Sequence, residues 1–252
     1  MRWSVLLVAL VGWEVATRAA DSTFFPPPTV IGGALWRTWF SGPATHLFLS
    51  DLAVANLGPS LGRALGGWVI AVVVGGAAGL ALGRSPRALE VAGPLLAFVR
   101  AVPPPLLVPV FLVWFSLGAE MQVATIVVGV VWPVLLGSVD GARSVHPVQA
   151  ETARAFRTPR ARWVVGVVLP AALPKVFAGM RVSLSLALIL MVISELVGTS
   201  EGLGLQLAVA QRRFDFLTMW TAVVLLAVLG HLLDAGLVAV EHRVLRHRVP
   251  TA

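Results

Sequence analysis

The chain contains long apolar runs, and their length is the one that a helix needs to cross a membrane. A bilayer core of about 30 Å requires about 20 mostly apolar residues per helix, and such runs recur, as in Leu61–Leu82 and Leu217–Val240. Hydrophobic residues make up 58% of the 252 residues and charged residues only 12%, whereas soluble domains carry roughly a quarter charged residues. The sequence therefore predicts an all-α, polytopic membrane protein.

About six transmembrane helices are predicted. The first run is interrupted by Glu14, and its basic start, short apolar stretch and small closing residues also fit a signal peptide. We favour an uncleaved span, because a cleaved signal is uncommon on a polytopic protein. The predicted spans are Trp3–Ala20, Leu61–Leu82, Val91–Leu117, Met121–Val139, Val176–Val197 and Leu217–Val240.

Basic residues indicate the orientation of these spans. If six spans alternate, fourteen of the 19 Lys and Arg residues fall on one side, among them Lys175 and Arg248. Loops rich in Arg and Lys face the cytoplasm, so both termini are predicted to be cytoplasmic, and residues 21–60 extracytoplasmic. The same distribution argues against nucleic-acid binding, because the Arg residues flank apolar runs and do not form a basic groove.

Nothing in the sequence indicates an energy source or a catalytic centre. No Gly-Lys pair occurs, which excludes a Walker A loop, and the absence of Cys together with unsuitable His spacing argues against a metal site. The acidic residues in the spans, Glu14, Glu195 and Asp234, are too few for the relay of a proton-driven carrier. We expect a non-enzymatic subunit that needs no cofactor of its own and takes its energy from a partner.

The third predicted span carries several prolines. Proline lacks the donor N–H and clashes with the preceding turn, so Pro103, Pro104, Pro105 and Pro109 predict a broken helix. A break at membrane depth requires contact with protein or a water-filled path. A kinked packing helix and a helix that lines a pore both remain open.

The polar stretch Gln149–Pro174 lies between apolar runs. Pro147 suits a helix start, Thr158-Pro159 ends that helix, and Pro159 can open a second short one. Two interpretations remain open. In the first, a short helix held between two spans docks another protein. In the second, the stretch is a solvated connecting loop, and the residues alone favour this second interpretation.

A family resemblance bears on this choice. Glu151, Ala153, Leu169 and Pro170 stand in the register of the EAA loop of ABC importer permeases, with Thr152 and Val167 as mild substitutions. Arg157 stands where that motif has Gly, the residue that allows the turn between two short helices. We expect Thr158-Pro159 to supply the turn one step later.

The resemblance extends from about Phe25 to Arg248. The segments FFPPPTVIGGALW, VRAVPPPLLVPVFLVWFSLG and SELVGTSEGLG are similar, in order, to permeases for aliphatic sulfonates, taurine and nitrate. The resemblance implies one type I importer transmembrane domain over residues 1–252. Its expected parts are an N-terminal span (1–20), an extracytoplasmic segment (21–60) and a five-span core (61–248), which includes a cytoplasmic coupling loop (141–175).

The same resemblance implies partners and a function. The permease would work as a homodimer in a bacterial inner membrane, in contact with lipid, with an extracytoplasmic binding protein and two ATPase subunits that hold ATP and Mg. It would import a small anionic solute by alternating access. A stand-alone carrier or channel and a membrane scaffold subunit remain alternatives. The residues implied in ATPase coupling are Ala150, Glu151, Thr152, Ala153, Phe156, Arg157, Leu169 and Pro170.

Residues of the translocation path or gate are expected at two places. Glu195 lies near the end of an apolar span, where a carboxylate is expensive, and Gly198 follows it closely. We expect Glu195 to pair with a donor or an Arg and to act as a gate element; an interfacial carboxylate is the alternative. The second place is the run Pro103, Pro104 and Pro105.

Overall fold

The computed structural model describes residues 2–246, with side chains from Ser4 onwards. Within that part the chain is helical and contains no strand, which confirms the all-α prediction. Arg248 of the predicted cytoplasmic tail lies outside the described residues. The α-helices are α1 Arg2–Ala20, α2 Pro28–Trp39, α3 Asp51–Gly83, α4 Pro86–Arg100, α5 Val108–Phe115, α6 Ala119–Arg143, α7 Pro147–Ala155, α8 Arg160–Trp163, α9 Leu169–Val197, α10 Leu203–Arg212 and α11 Phe216–Leu245.

Four of the described helical segments are long and apolar enough to cross a membrane. They are Ala44–Gly83, Ala119–Arg143, Arg160–Val197 and Phe216–Leu245. The bent pair of helices Pro86–Arg100 and Pro104–Phe115 makes a fifth candidate if the two form one span. Six spans were expected from the sequence. Helix α1 covers the first predicted span but is not among these candidates, so a crossing at Trp3–Ala20 stays a prediction.

The third predicted span, Val91–Leu117, is not a single helix. Pro86–Arg100 and Pro104–Phe115 meet at an angle of 79°, and a short 3-10 turn, Pro104–Leu107, precedes α5. Proline cannot supply the backbone donor that a continuing helix needs. The break that Pro103, Pro104 and Pro105 predict is therefore present.

The chain divides into two compact units. The first comprises Met1–Gly62 with Val192–Gly230, and the second Arg63–Met191 with His231–Ala252. The single permease domain and its subdivisions stay a prediction.

In the first unit, buried and half-buried aromatic side chains connect its helices. Trp39 is fully buried, and its indole N–H donates to the hydroxyl of Thr221 at 3.1 Å. The rings of Trp13 and Trp220 lie 5.1 Å apart. Because a buried indole needs a partner for its N–H, the contact with Thr221 fixes α2 against α11.

In the second unit, glycines of α3 let α6 approach closely. A methyl group placed on Gly79 would collide with Leu135 and Ser138, and one on Gly83 with Val139 and Ala142. Small residues permit such backbone approach between membrane helices. Earlier in α3, Trp68 donates its indole N–H to the hydroxyl of Ser183 in α9 at 2.8 Å, and this contact holds α3 against α9.

Candidate functional site

Helix α7 is the polar helix predicted between two apolar spans. It begins at Pro147, and the ring nitrogen Nδ1 of His146 accepts a hydrogen bond from the N–H of Val148 at 3.3 Å. Proline at the first helical position and a capping side chain before it favour a helix start. The predicted start at Pro147 and the second short helix after Pro159 are both confirmed.

The turn after α7 is a Schellman motif. The N–H of Thr158 donates to the carbonyl of Ala153 at 2.9 Å, and the N–H of Arg157 donates to the carbonyl of Arg154 at 3.0 Å. Arg157 has a φ of 49°, and this left-handed position is usually occupied by Gly. The turn therefore lies at Arg157 itself, and the expectation of a turn one step later at Thr158-Pro159 was wrong.

One side of α7 borders a strongly basic groove with a volume of about 480 Å³. The guanidinium of Arg84, which precedes α4, lies 5.5 Å from the ring centroid of Trp163 and donates to the carbonyl of Ala142 at 3.5 Å. Stacking on the indole face stabilises the cation. The residues of this basic groove are Arg84, Ala150, Ala153, Arg154, Arg157, Thr158, Arg160 and Trp163.

A second, mainly apolar groove of about 370 Å³ borders the same helix. Phe156, a large apolar side chain, is 81% exposed. An exposed aromatic ring next to an apolar groove is typical of an interaction surface. The residues of this apolar groove are Val148, Gln149, Thr152, Ala153, Phe156, Thr158, Trp163 and Val167.

The structure brings together five of the eight residues that the resemblance implies in coupling. Ala153 lines both grooves, and the other four line one groove each. Glu151 is exposed and lines neither groove. Leu169 and Pro170 are half-buried at the start of α9, after a π-helical turn at Val164–Val168.

Glu195 occupies a buried polar site in the first unit. Its side chain is 1% exposed. The hydroxyl of Ser60 donates to the carboxylate at 2.7 Å and 3.0 Å, and the N–H of Gly204 donates to Oε2 at 2.8 Å. We call Glu195, Ser60 and Asn56 the carboxylate cluster.

This cluster caps the N-terminus of α10. The N–H of Leu203 donates to the hydroxyl oxygen of Ser60, and the N–H of Gly202 to Oδ1 of Asn56, both at 2.8 Å. The first N–H groups of a helix lack partners within the helix and attract negative charge. Here they are satisfied by side chains from α3 and α9, so the carboxylate ties α10 to both helices.

A glycine makes this approach possible. Gly202 has a φ of 129°, and a methyl group placed on it would lie 2.5 Å from Oε2 of Glu195. Only Gly adopts that backbone readily, and only Gly leaves room for the carboxylate. Gly198, the other expected residue here, comes directly after the last residue of α9.

The sequence analysis did not single out Arg84, Trp163, Ser60 or Asn56. Asn56 and Ser60 stand four residues apart, a spacing that places both on one face of a helix, and this was a usable signal. Arg84 entered only as one of the fourteen basic residues on one side. Its stacking on Trp163 joins residues far apart in the sequence, and no local pattern indicates it.

The apolar helices, the broken span and the polar helix between two of the spans are those of a multi-pass membrane protein. Residues 71–246 match the family model of the binding-protein-dependent transport system inner membrane component. The chain belongs to this family and is the transmembrane permease subunit of an ABC importer.

Curated relatives lie in the branch that the sequence resembles. The taurine transport system permease protein of Escherichia coli (strain K12) is 28% identical over 95% of this chain and 86% of its own length. The putative aliphatic sulfonates transport permease protein of Bacillus subtilis (strain 168) is 30% identical over 81% of this chain and 74% of its own length. The bicarbonate transport system permease protein of Synechococcus elongatus is 29% identical over 75% of this chain and 68% of its own length.

Among solved structures, a chain of the MetNI methionine ABC transporter in an inward facing conformation is similar in fold. The TM-score is 0.66 at 19% sequence identity, over 80% of this chain and 100% of that chain. The similarity confirms the fold of an ABC transporter transmembrane domain.

Proposed function

We propose that this permease imports a small solute with an oxyanion group, of the sulfonate, taurine, nitrate or bicarbonate type, and couples to separate ATPase subunits through α7. The relatives that match over most of their length carry taurine, sulfonates and bicarbonate in their names. These solutes share a small size and an oxyanion group, and that shared chemistry defines the proposed substrate class.

The observation that carries the coupling proposal is the position of Ala153. It lines the basic and the apolar groove together, on a helix whose neighbouring Phe156 is 81% exposed. A small residue at the centre of such a surface allows a partner to approach the backbone. An ATPase subunit seated here would cover Phe156 and complement the arginines.

Glu195 is proposed as a gate element. Its carboxylate holds the N-terminus of α10 against α3 and α9, so movement of one of these helices changes the support of the others. A fixed anion in the narrowest part of the path would repel an anionic substrate. We therefore assign Glu195 a positioning role and no direct contact with the substrate, with Gly198 and the break at Pro103, Pro104 and Pro105 as further parts of the path.

The proposed assembly is the one that the family resemblance implies. Two copies of the permease, two ATPase subunits that bind ATP and Mg, and an extracytoplasmic binding protein form the transporter. Both termini lie in the cytoplasm of a bacterial cell, and the spans contact membrane lipid. ATP binding closes the ATPase dimer, and α7 transmits that movement to the spans.

The test is reconstitution. The permease is co-expressed with the ATPase subunits of its source organism, purified by a tag on the permease, and placed in proteoliposomes. Binding proteins of that organism are added in turn, and ATP hydrolysis and uptake of labelled taurine, methanesulfonate, nitrate and bicarbonate are measured.

We expect one ATPase to co-purify, and one binding protein to stimulate both ATP hydrolysis and uptake of one of these solutes. Uptake without ATP would support a stand-alone carrier or channel. Association with no ATPase, or no uptake of any anion with the complete set of components, would contradict the proposal.

A further inference from the structure

The C-terminal end of α10 presents a charged and aromatic surface. Residues Leu203 to Ala210 are buried or half-buried, whereas residues 211–215 are all exposed. Arg212 and Arg213 are exposed, and Phe214 is 76% exposed. We call these three residues the α10 terminal surface.

The backbone under this surface is fixed. The N–H of Asp215 donates to the carbonyl of Ala210 at 3.0 Å, and the N–H of Phe214 donates to the carbonyl of Gln211 at 3.2 Å. This is a second Schellman motif, and its left-handed position is held by Phe214, with a φ of 54°. A bulky residue is a real outlier in this conformation, and Gly would normally stand here.

Neighbouring contacts hold the turn from its other side. The carboxylate of Asp215 caps α11, because it accepts a hydrogen bond at 3.0 Å from the N–H of Thr218. Hydrogen bonds from the Thr218 side chain and N–H, together with the charge of Arg213, hold the pKa of Asp215 below its usual value. The ring of Phe214 lies 6.3 Å from that of Phe216, which contacts the ring of Phe24 at 4.7 Å.

The other end of α10 is the end that the carboxylate cluster caps. Ten residues form the helix, so the two ends are separated by about 15 Å at 1.5 Å per residue. One short helix, whose first eight residues are buried or half-buried, thus connects an exposed, structurally strained surface to the buried Glu195. Strained residues held by their surroundings often mark functional sites.

We propose that the α10 terminal surface docks the extracytoplasmic binding protein through acidic side chains of that protein, and that α10 transmits the docking to Glu195. The proposal rests on the proposed function, because it requires the orientation in which α10 ends outside the cytoplasm. The family is defined by its dependence on a binding protein, and two adjacent arginines attract an acidic partner during encounter. A lipid headgroup would need neither a fixed turn nor a phenyl ring held in a strained position.

The test uses the reconstituted transporter and the binding protein that stimulates it. ATP hydrolysis is measured as the binding-protein concentration is raised, for Phe214→Gly and for Arg213→Glu. Gly suits the left-handed turn better than Phe does, so a loss of docking in Phe214→Gly does not come from misfolding. Phe48→Gly and Arg37→Glu are the matched controls, since Phe48 is exposed at a φ of 63° and Arg37 is exposed at the end of α2.

We expect each surface variant to raise the half-saturating concentration of the binding protein about tenfold, the factor that corresponds to 1.4 kcal/mol. Hydrolysis without binding protein, the maximal stimulated rate and the two controls should stay unchanged. Glu195→Gln should instead leave the half-saturating concentration unchanged, because it alters the buried end of α10 and not the docking surface. Added salt should weaken docking in the wild type more than in Arg213→Glu, because salt screens exposed charges.

Two results overturn the inference. One is an unchanged half-saturating concentration in both surface variants, while the wild type is stimulated. The other is a loss of activity in these variants that does not depend on binding-protein concentration, which would indicate a membrane anchor. If no binding protein stimulates the wild type, the proposed function fails before this inference is reached.

Discussion

At the scale of single residues, Arg157 shows how a departure from a motif can keep the geometry of that motif. The residue adopts the left-handed backbone, with a φ of 49°, that a Gly at this position would adopt. A residue with a Cβ in this region carries a cost of about 1–2 kcal/mol, which the hydrogen bonds of the Schellman turn offset. The turn is therefore specified by its surroundings more than by Arg157.

Arg157→Gly should be tolerated and should stabilise the protein. Relief of the left-handed strain exceeds the extra backbone entropy of Gly, about 0.5–1 kcal/mol, so we expect a gain of up to about 1 kcal/mol, or a rise in Tm of about 2–4 °C. Thermal unfolding of the purified complex measures this. Arg157→Ala also removes the charge but keeps the Cβ, and an equal gain in that variant would show that the strain explanation is wrong.

Glu195→Gln should lower transport, or uncouple ATP hydrolysis from it, while ATPase docking persists. Gln keeps the shape but loses the charge at the N-terminus of α10, and hydrogen bonds to charged groups contribute about 1.5–3 kcal/mol against about 0.5–1.5 kcal/mol for neutral ones. Uptake per ATP hydrolysed is the measurement. Glu201→Gln, at an exposed position shortly before α10, is the control. Normal uptake and coupling with Gln at position 195 would argue against a gate.

At the scale of elements, α7 is a short helix that borders two grooves, one basic and one mainly apolar. Its apolar and basic sides meet at Ala153, and the Schellman turn fixes the direction in which the chain leaves. None of its residues is buried, so its stability depends on its caps and on contacts with neighbouring elements.

Ala153→Arg should weaken ATPase association and transport while membrane insertion persists. The larger side chain would overpack the docking surface, at a typical cost of about 1–3 kcal/mol. Co-purification of the ATPase and uptake are the two measurements. Ala155→Arg places the same side chain two residues further on, at an exposed position outside both grooves, and should have little effect; normal transport by Ala153→Arg with a bound ATPase would rule out the assignment.

The contact between α3 and α6 predicts a difference between two glycines of one helix. Gly79→Leu should destabilise the protein by at least about 1–3 kcal/mol, because its Cβ would meet Leu135 and Ser138. Gly76→Leu should be tolerated, since no atom lies within 4 Å of a Cβ placed there. Thermal unfolding in detergent compares the two, and equal losses would contradict the close approach of α6.

At the scale of the whole molecule, the topology depends on the bent pair α4–α5. Three candidate crossings separate Trp39 from Arg157 if the bent pair counts as one span, and two if it enters and leaves on the same side. The arrangement with three crossings places fourteen of the 19 basic residues on one side of the membrane, as the positive-inside rule favours.

A reporter fused near Arg157 should therefore be cytoplasmic, and one fused near Trp39 extracytoplasmic. Alkaline phosphatase and green fluorescent protein fusions, which are active on opposite sides of the membrane, measure this. Both reporters on one side would show that α4 and α5 form a re-entrant loop, and the predicted orientation would have to be revised.

The sequence by itself determined the class of protein, the broken helix and the polar helix α7. Each of these depends on neighbouring residues: apolar runs of membrane length, a cluster of prolines that lack backbone donors, and Pro147 and Pro159 at two helix starts. The motif around Glu151 and Pro170 likewise occupies one contiguous stretch. Local physics of this kind is readable without knowledge of the fold.

Only the tertiary structure decided what these residues contact. Ser60 and Glu195 are 135 positions apart, and their contact depends on how α3, α9 and α10 pack. The same holds for Arg84 on Trp163 and for the close approach of Gly79 to α6. A sequence pattern fixes which face of a helix is apolar, but the partner of a polar side chain is chosen by packing between segments that are distant in the chain, and that choice turned Glu195 from an isolated charge into the cap of α10.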